Sequence, residues 1–149
     1  MEVLPVLSLE RRKALVVGGA GGGIGSAITH SLAQAGAHVS VITNDTSHAD
    51  SIHSEAKERG HEIHCHIKDV TDLKAFTTTV DDVIAANGSI HHLVNVVGGA
   101  EVSDWSRAKD YELEMFDRII TRNLRYALVS CQRIASTLIS GSTAGSIVN

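Results

Sequence analysis

Apolar and polar positions alternate along this 149-residue chain in two different rhythms. Ala14-Leu15-Val16-Val17 is an unbroken apolar run that stops at glycine, which predicts a strand over 13–17 covered on both faces. From Ile24 the period changes. Ile24, Ala27, Ile28, Ser31, Leu32 and Ala35 share one face of a helix, and Gly36 ends it. Val39–Thr43 reads as a second strand, Ser47–Arg59 as a polar helix closed by Gly60, and Glu62–Ile67 as a third strand. Thr71 or Asp72 caps a helix running to Ala86, ahead of an Asn87-Gly88 turn. His92–Val97 is the fourth strand, followed by a polar loop in which Trp105 is either a loop anchor near the substrate side or a plain surface aromatic. The helical period then holds from Glu112 to Ser140 through Leu113, Phe116, Ile120, Leu124, Leu128, Cys131, Ile134 and Leu138. A turn over Gly141–Gly145 leads into a fifth strand at Ser146–Asn149.

Strands alternating with helices imply a parallel sheet with right-handed crossovers and helices on both faces. The expected architecture is a Rossmann-like, doubly wound α/β fold, one domain over 1–149 with residues 1–12 as a short lead-in. Composition agrees: 43% hydrophobic and 20% charged residues suit a globular chain of this length. A net charge of −4 gives no electrostatic reason to expect nucleic acid or an acidic membrane. No apolar run is long enough to span a bilayer. Met1-Glu2-Val3-Leu4-Pro5 lacks the layout of a signal peptide, and Cys65 and Cys131 show no paired spacing, so a reducing cytoplasm is the expected location.

The junction between the first strand and the first helix carries the chemistry. Five of the seven residues from Gly19 to Gly25 are glycine. Glycine leaves no Cβ between backbone and ligand, and the following helix offers free N–H groups and partial positive charge to an anion. Strand, glycine turn and helix in that order point to a dinucleotide phosphate cradle. The spacing is G-x-x-x-G-x-G at Gly19, Gly23 and Gly25.

That spacing resembles the short-chain dehydrogenase/reductase family, with strand order 3-2-1-4-5 and the later strands absent. Gly18 stands where the family has threonine, and Gly22 where an arginine is frequent. Asp69-Val70 resembles the family's aspartate–valine pair, whose carboxylate takes a hydrogen bond from the adenine amino group. Asn95-Val96-Val97-Gly98 resembles Asn-Asn-Ala-Gly, matching at Asn95 and Gly98 and departing at Val96 and Val97. Phe116-Asp117-Arg118-Ile119-Ile120-x-x-Asn123-Leu124 resembles the family's fourth helix, where the asparagine matched by Asn123 helps hold a proton-relay water. The resemblance therefore implies cofactor contacts at Gly19, Gly22, Gly23, Ile24, Gly25, Thr43, Asn44, Asp69, Val70, Asn95 and Gly98, with Asn123 as a catalytic residue.

The cofactor implied is NAD or NADP. Thr43 and Asn44 are neither acidic nor basic, Asp45 comes one residue late, and no cation stands at Gly22 to neutralise a 2′-phosphate, so the balance tips to NAD. His64 and His66 share a strand face, but no third metal ligand is evident, and no metal is expected. The implied reaction is hydride transfer between nicotinamide and an alcohol or ketone. The family's catalytic Ser and Tyr-x-x-x-Lys have no counterpart here: Met115 follows Tyr111 four on, and Ser130 follows Tyr126. The expectation is a cofactor-holding part of such an enzyme, inactive alone. The alternative is a non-catalytic dinucleotide-binding or regulatory fragment. The broad apolar face over 112–140 implies homo-oligomer contacts.

Overall fold

The computed structural model describes residues 8–149, so the lead-in up to residue 7 and the signal-peptide reading lie outside the described residues. Five parallel strands follow from the five apolar runs: β1 (Lys13–Val17), β2 (His38–Thr43), β3 (Ile63–Ile67), β4 (His92–Asn95) and β5 (Ser146–Val148). They lie in the order β3-β2-β1-β4-β5, the doubly wound arrangement expected. Register aligns Lys13 with His38 on one side of β1, and Ala14 with His92 on the other.

Strand alternation sorts β1 between two cores. Leu15 and Val17 point into a bulky layer with Ile42, Phe76, Val80, Leu93, Tyr126 and Ile134. Ala14 and Val16 point into a layer of smaller residues with Ala20, Ala33, Ala37, Val39, Ile52 and Ala56. The small layer is covered by α1 (Ile24–Gln34) and α2 (Thr46–Glu58); the bulky one by α3 (Leu73–Asn87) and α5 (Tyr126–Ser140). Phe76 and Tyr126 meet edge to face at 5.8 Å. No described helix is long and apolar enough to cross a membrane.

Two boundaries differ from the sequence expectation by more than one residue. β4 stops at Asn95, because the N–H groups of Val96 and Val97 both turn to one acceptor, Val17 O, at 2.8 and 3.3 Å. The long helix is interrupted: α4 (Leu113–Ile120) passes through a π-helical turn at Thr121–Arg125 before α5 begins. Of the two cap candidates for α3, Asp72 is the one used, accepting from Ala75 N at 3.0 Å. Trp105 is 77% exposed.

Candidate functional site

The chain leaves β1 into the glycine loop at the point where strand order reverses, between β1 and β4. The loop is held from within. Gly18 N donates to Ile42 O at 2.8 Å, Thr29 Oγ1 donates to Gly19 O at 2.9 Å, and Gly22 N donates to Ser26 Oγ at 2.9 Å. The glycines divide into two kinds. A Cβ on Gly19 would lie 2.5 Å from Thr29 Oγ1, and one on Gly25 would lie 2.0 Å from Gly18 O, so these two let the helix pack against the loop. A Cβ on Gly22 or Gly23 would meet nothing within 4 Å, so these two face open space. Gly23 caps α1 with no side-chain hydrogen bond, and no acidic residue stands in the first turn. An uncapped helix start with an open glycine backbone in front of it fits a phosphate group. Ile24 opens the helix 76% exposed, an apolar side chain set beside that backbone.

Next to the loop lies a cavity of about 330 Å³. Gly18 and Gly21 close one side of it, and Thr43, Asn44 and His48 another. Lys68, Asp69, Val70 and Thr71 form the β3 side; Val97, Glu101 and Arg122 complete the wall. Asp69 Oδ1 accepts from Thr71 N and Thr71 Oγ1, both at 2.8 Å, which fixes the carboxylate at the rim. Thr43 is buried and its carbonyl takes Lys68 N at 2.7 Å. Asp45 is committed elsewhere. Its carboxylate caps α2, accepting from Ser47 Oγ at 2.5 Å and His48 N at 3.1 Å, and these bonds hold its pKa below the usual carboxylate value.

Asn95, Gly98 and Asn123 do not line this cavity; they set the strand end behind it. Asn95 is buried. Its amide donates to Asn149 Oδ1 at 2.8 Å and accepts from Ser130 Oγ at 2.9 Å, which ties β4 to the end of β5 and to α5. Asn123 sits in the π-helical turn. Its Oδ1 accepts from Gly99 N at 2.7 Å, and its Nδ2 donates to Gly99 O and to Ile119 O, both at 2.9 Å. Gly98 lies under that amide, where a Cβ would come 3.1 Å from Asn123 Oδ1. Tyr126 adds a third tie, its hydroxyl donating to Val97 O at 2.6 Å; burial pushes that phenol up to about 12. The widened turn at 121–125 carries Asn123, and Tyr126 follows it directly; the two hold the carbonyls of Gly99 and Val97 at the β4 exit.

Two groups escaped the sequence reading. Val97 Cγ2 stands 2.7 Å from where a Cβ on Gly18 would lie, so the valine fills the space that a side chain there would need. Arg122 looked like any polar helix residue, yet its side chain is 22% exposed, lines the cavity, and pairs with Glu101 at 2.7 Å and Asp104 at 3.3 Å. The 101–104 turn had no apolar period to mark it. Among the described residues, no group of three or more His, Cys, Asp or Glu is placed to hold a metal ion.

Fold and cleft together define a doubly wound α/β protein with its site at the strand-order reversal. A family model described as short chain dehydrogenase matches residues 13–149, and the chain belongs to that family of oxidoreductases. It is 30% identical over 142 residues to the short chain dehydrogenase/reductase dpchG of Colletotrichum higginsianum, covering 95% of this chain and 52% of that protein. It is 34% identical over 128 residues to elsinochrome reductase 1 of Elsinoe fawcettii, covering 84% and 47%. A metagenomic short-chain oxidoreductase solved in complex with NADP superposes with a TM-score of 0.85 at 26% identity, over 93% of this chain and 61% of that one. The chain spans about half the length of the curated relatives it matches.

Proposed function

We propose that residues 1–149 act as a single dinucleotide-binding unit of a short-chain oxidoreductase that interconverts an alcohol and a ketone. The observation that carries this reading is the open backbone at Gly22 and Gly23, ahead of an uncapped helix and beside the cavity of Asp69. The pyrophosphate would lie on the N–H groups of Gly23, Ile24 and Gly25, with Gly19 letting the helix pack close. Asp69 and Val70 would take the adenine, and Thr43 and Asn44 the adjoining ribose. Asn95, Gly98 and Asn123 would hold the strand end against the nicotinamide side. When bound, the nicotinamide supplies or accepts the hydride.

NAD is the cofactor we favour. No cation stands at Gly22, Thr43 or Asn44, and the Asp45 carboxylate already occupies the α2 start, where a 2′-phosphate would meet like charge. Lys68 is the lining cation that argues the other way, and parallel titrations with NADH and NADPH weigh the two. The decisive test is Gly23→Val. A Cβ at Gly23 has no protein atom within 4 Å, so the unfolding midpoint should stay near wild type while NADH binding, read by fluorescence, is lost. Undiminished binding in that variant would falsify the cradle.

A second reading, a dinucleotide holder without turnover, is favoured by the tyrosines. Neither is followed four on by lysine, and the Tyr126 hydroxyl is spent on Val97 O. Binding without oxidation of any alcohol by this chain supports it; turnover removes it. Leu113, Leu124, Leu128 and Ile139 are each more than half exposed from α4 through the π-helical turn to α5, and we assign that face to a second copy of the protein. Sedimentation that finds only monomer at high concentration removes that assignment. With both cysteines free, we place the protein in the cytoplasm.

A further inference from the structure

The adenosine end of the cavity holds an arginine that the family resemblance does not assign, because Arg122 falls at an unspecified position between Ile120 and Asn123. Three observations bear on what it does there. Its side chain lines the same cavity as Thr43, Asp69 and Val70. Both of its terminal nitrogens are taken, Nη2 by Glu101 at 2.7 Å and Nη1 by Asp104 at 3.3 Å. Asp104 is itself buried, 4% exposed, and fixed by Glu101 N at 2.9 Å and Arg118 Nη2 at 3.5 Å. The guanidinium is therefore held in place from two sides, with its positive charge matched by two carboxylates.

A group built to attract phosphate would not be neutralised in this way. What remains for the cavity is the planar face, and guanidinium planes stack on aromatic rings. The lining holds no Phe, Tyr or Trp; its one aromatic ring is the His48 imidazole on the Thr43–Asn44 side, its apolar residues are Ile42, Val70 and Val97, and Arg122 supplies the planar group on the opposite wall.

We propose that Arg122 is a nucleotide-binding residue whose guanidinium plane, clamped by Glu101 and Asp104, stacks on the purine base and fixes the adenosine half of the dinucleotide. The proposal rests on the dinucleotide reading and sharpens it by naming the residue that recognises the base.

The test compares the whole chain with Arg122→Leu and Arg122→Lys. NADH is titrated by fluorescence, and AMP and ribose 5-phosphate compete with it. These two competitors share a phosphate and a sugar, and only AMP carries a base. Loss of a stacked guanidinium should weaken AMP and NADH by about tenfold in Arg122→Leu, the scale of a cation–π contact partly shielded from water. Ribose 5-phosphate should be unchanged. Arg122→Lys keeps the charge and an ion pair, so it folds, yet it lacks the plane and should lose nearly as much AMP affinity. Equal losses for AMP and ribose 5-phosphate would show a phosphate contact and overturn the proposal. Full AMP affinity in Arg122→Lys would do the same. Glu101→Gln separates a loop-holding role: if it weakens AMP as much as Arg122→Leu, Arg122 only straps the 99–104 segment and the proposal falls. Wild-type chain that binds no NADH defeats the dinucleotide reading instead, a result distinct from all of these.

Discussion

Gly18 and Val97 should behave as one unit. Gly18 has φ +88°, a conformation that costs an L residue about 1–2 kcal/mol. A Cβ there would lie 2.7 Å from Val97 Cγ2 and 3.0 Å from Val97 N. The loop cannot slide away freely, since Gly18 N is bonded to Ile42 O at 2.8 Å. Overpacking of this kind adds about 1–3 kcal/mol. Gly18→Thr, which restores the residue usual in the family, should therefore destabilise by about 2–5 kcal/mol in total. For a chain of this size that lowers Tm by roughly 5–20 °C. Val97→Ala alone removes two methyl groups from a half-buried site and should cost about 1 kcal/mol. In the double variant the methyl clash is gone while the backbone cost remains. Urea unfolding of all four proteins should then give a coupling energy of about 1–3 kcal/mol in favour of the pair. Additive single effects, or a Gly18→Thr protein as stable as wild type, would refute the packing argument.

Stability should fall in two separate pH windows. His91 Nδ1 accepts from Lys13 N at 3.1 Å and His92 Nδ1 meets Ser146 Oγ at 2.9 Å, so both imidazoles join strands at the start of the sheet. Burial, with Arg12 nearby, depresses both below the ordinary 6.5. The unfolded chain then takes protons that the folded chain resists, so their contribution is full above pH 6.5 and declines as pH drops through and below it. Asp45, Glu55 and Asp104 are also depressed, by hydrogen bonds from Ser47, His30 and Glu101 N respectively; as acids they stabilise above their ordinary values of 3.8 to 4.5 and fail below them. Urea midpoints should drop between pH 7 and 5 and again below pH 4, and a flat profile from 8 to 5 would contradict the histidine assignment. Asn123→Ala should release both polar groups of Gly99 and cost about 1–2 kcal/mol, with faster amide exchange confined to 97–101. Unchanged exchange there would show that Tyr126 alone holds the segment.

Periodicity carried the fold because each strand is a short apolar run bounded by a breaker, and β1 faces two cores at once. It could not reveal the π-helical turn. One extra residue in a turn shifts the apolar face only slightly, and Ile120, Leu124 and Leu128 keep a helical spacing across it. The β4 end was overread for a related reason: Val96 and Val97 are apolar, but their N–H groups share Val17 O and leave the ladder. Within the site, the glycines and Asp69 were legible because backbone geometry demands those residue types at those places. Asp45 was ambiguous, since the same side chain serves as a ribose acceptor or a helix cap, and the choice shows only in its bond from His48 N in the folded chain. Arg122 left no trace because its role depends on Glu101 and Asp104, which reach it across a loop rather than along a helix.

The two faces of the sheet differ in grain, and this bears on how the protein tolerates change over generations. Under α1 and α2 the buried cluster mixes five alanines, Ala14, Ala20, Ala33, Ala37 and Ala56, with Val16, Val39, Val41, Ile52 and Ile63. Under α3 and α5 the contacts are made by Leu15, Phe76, Leu93, Tyr126 and Ile134, which can be trimmed or exchanged for one another with repacking. Sequence drift is thus channelled. The alanine positions on the face that carries the glycine loop are expected to accept fewer substitutions than the large side chains on its opposite, which can trade volume among themselves.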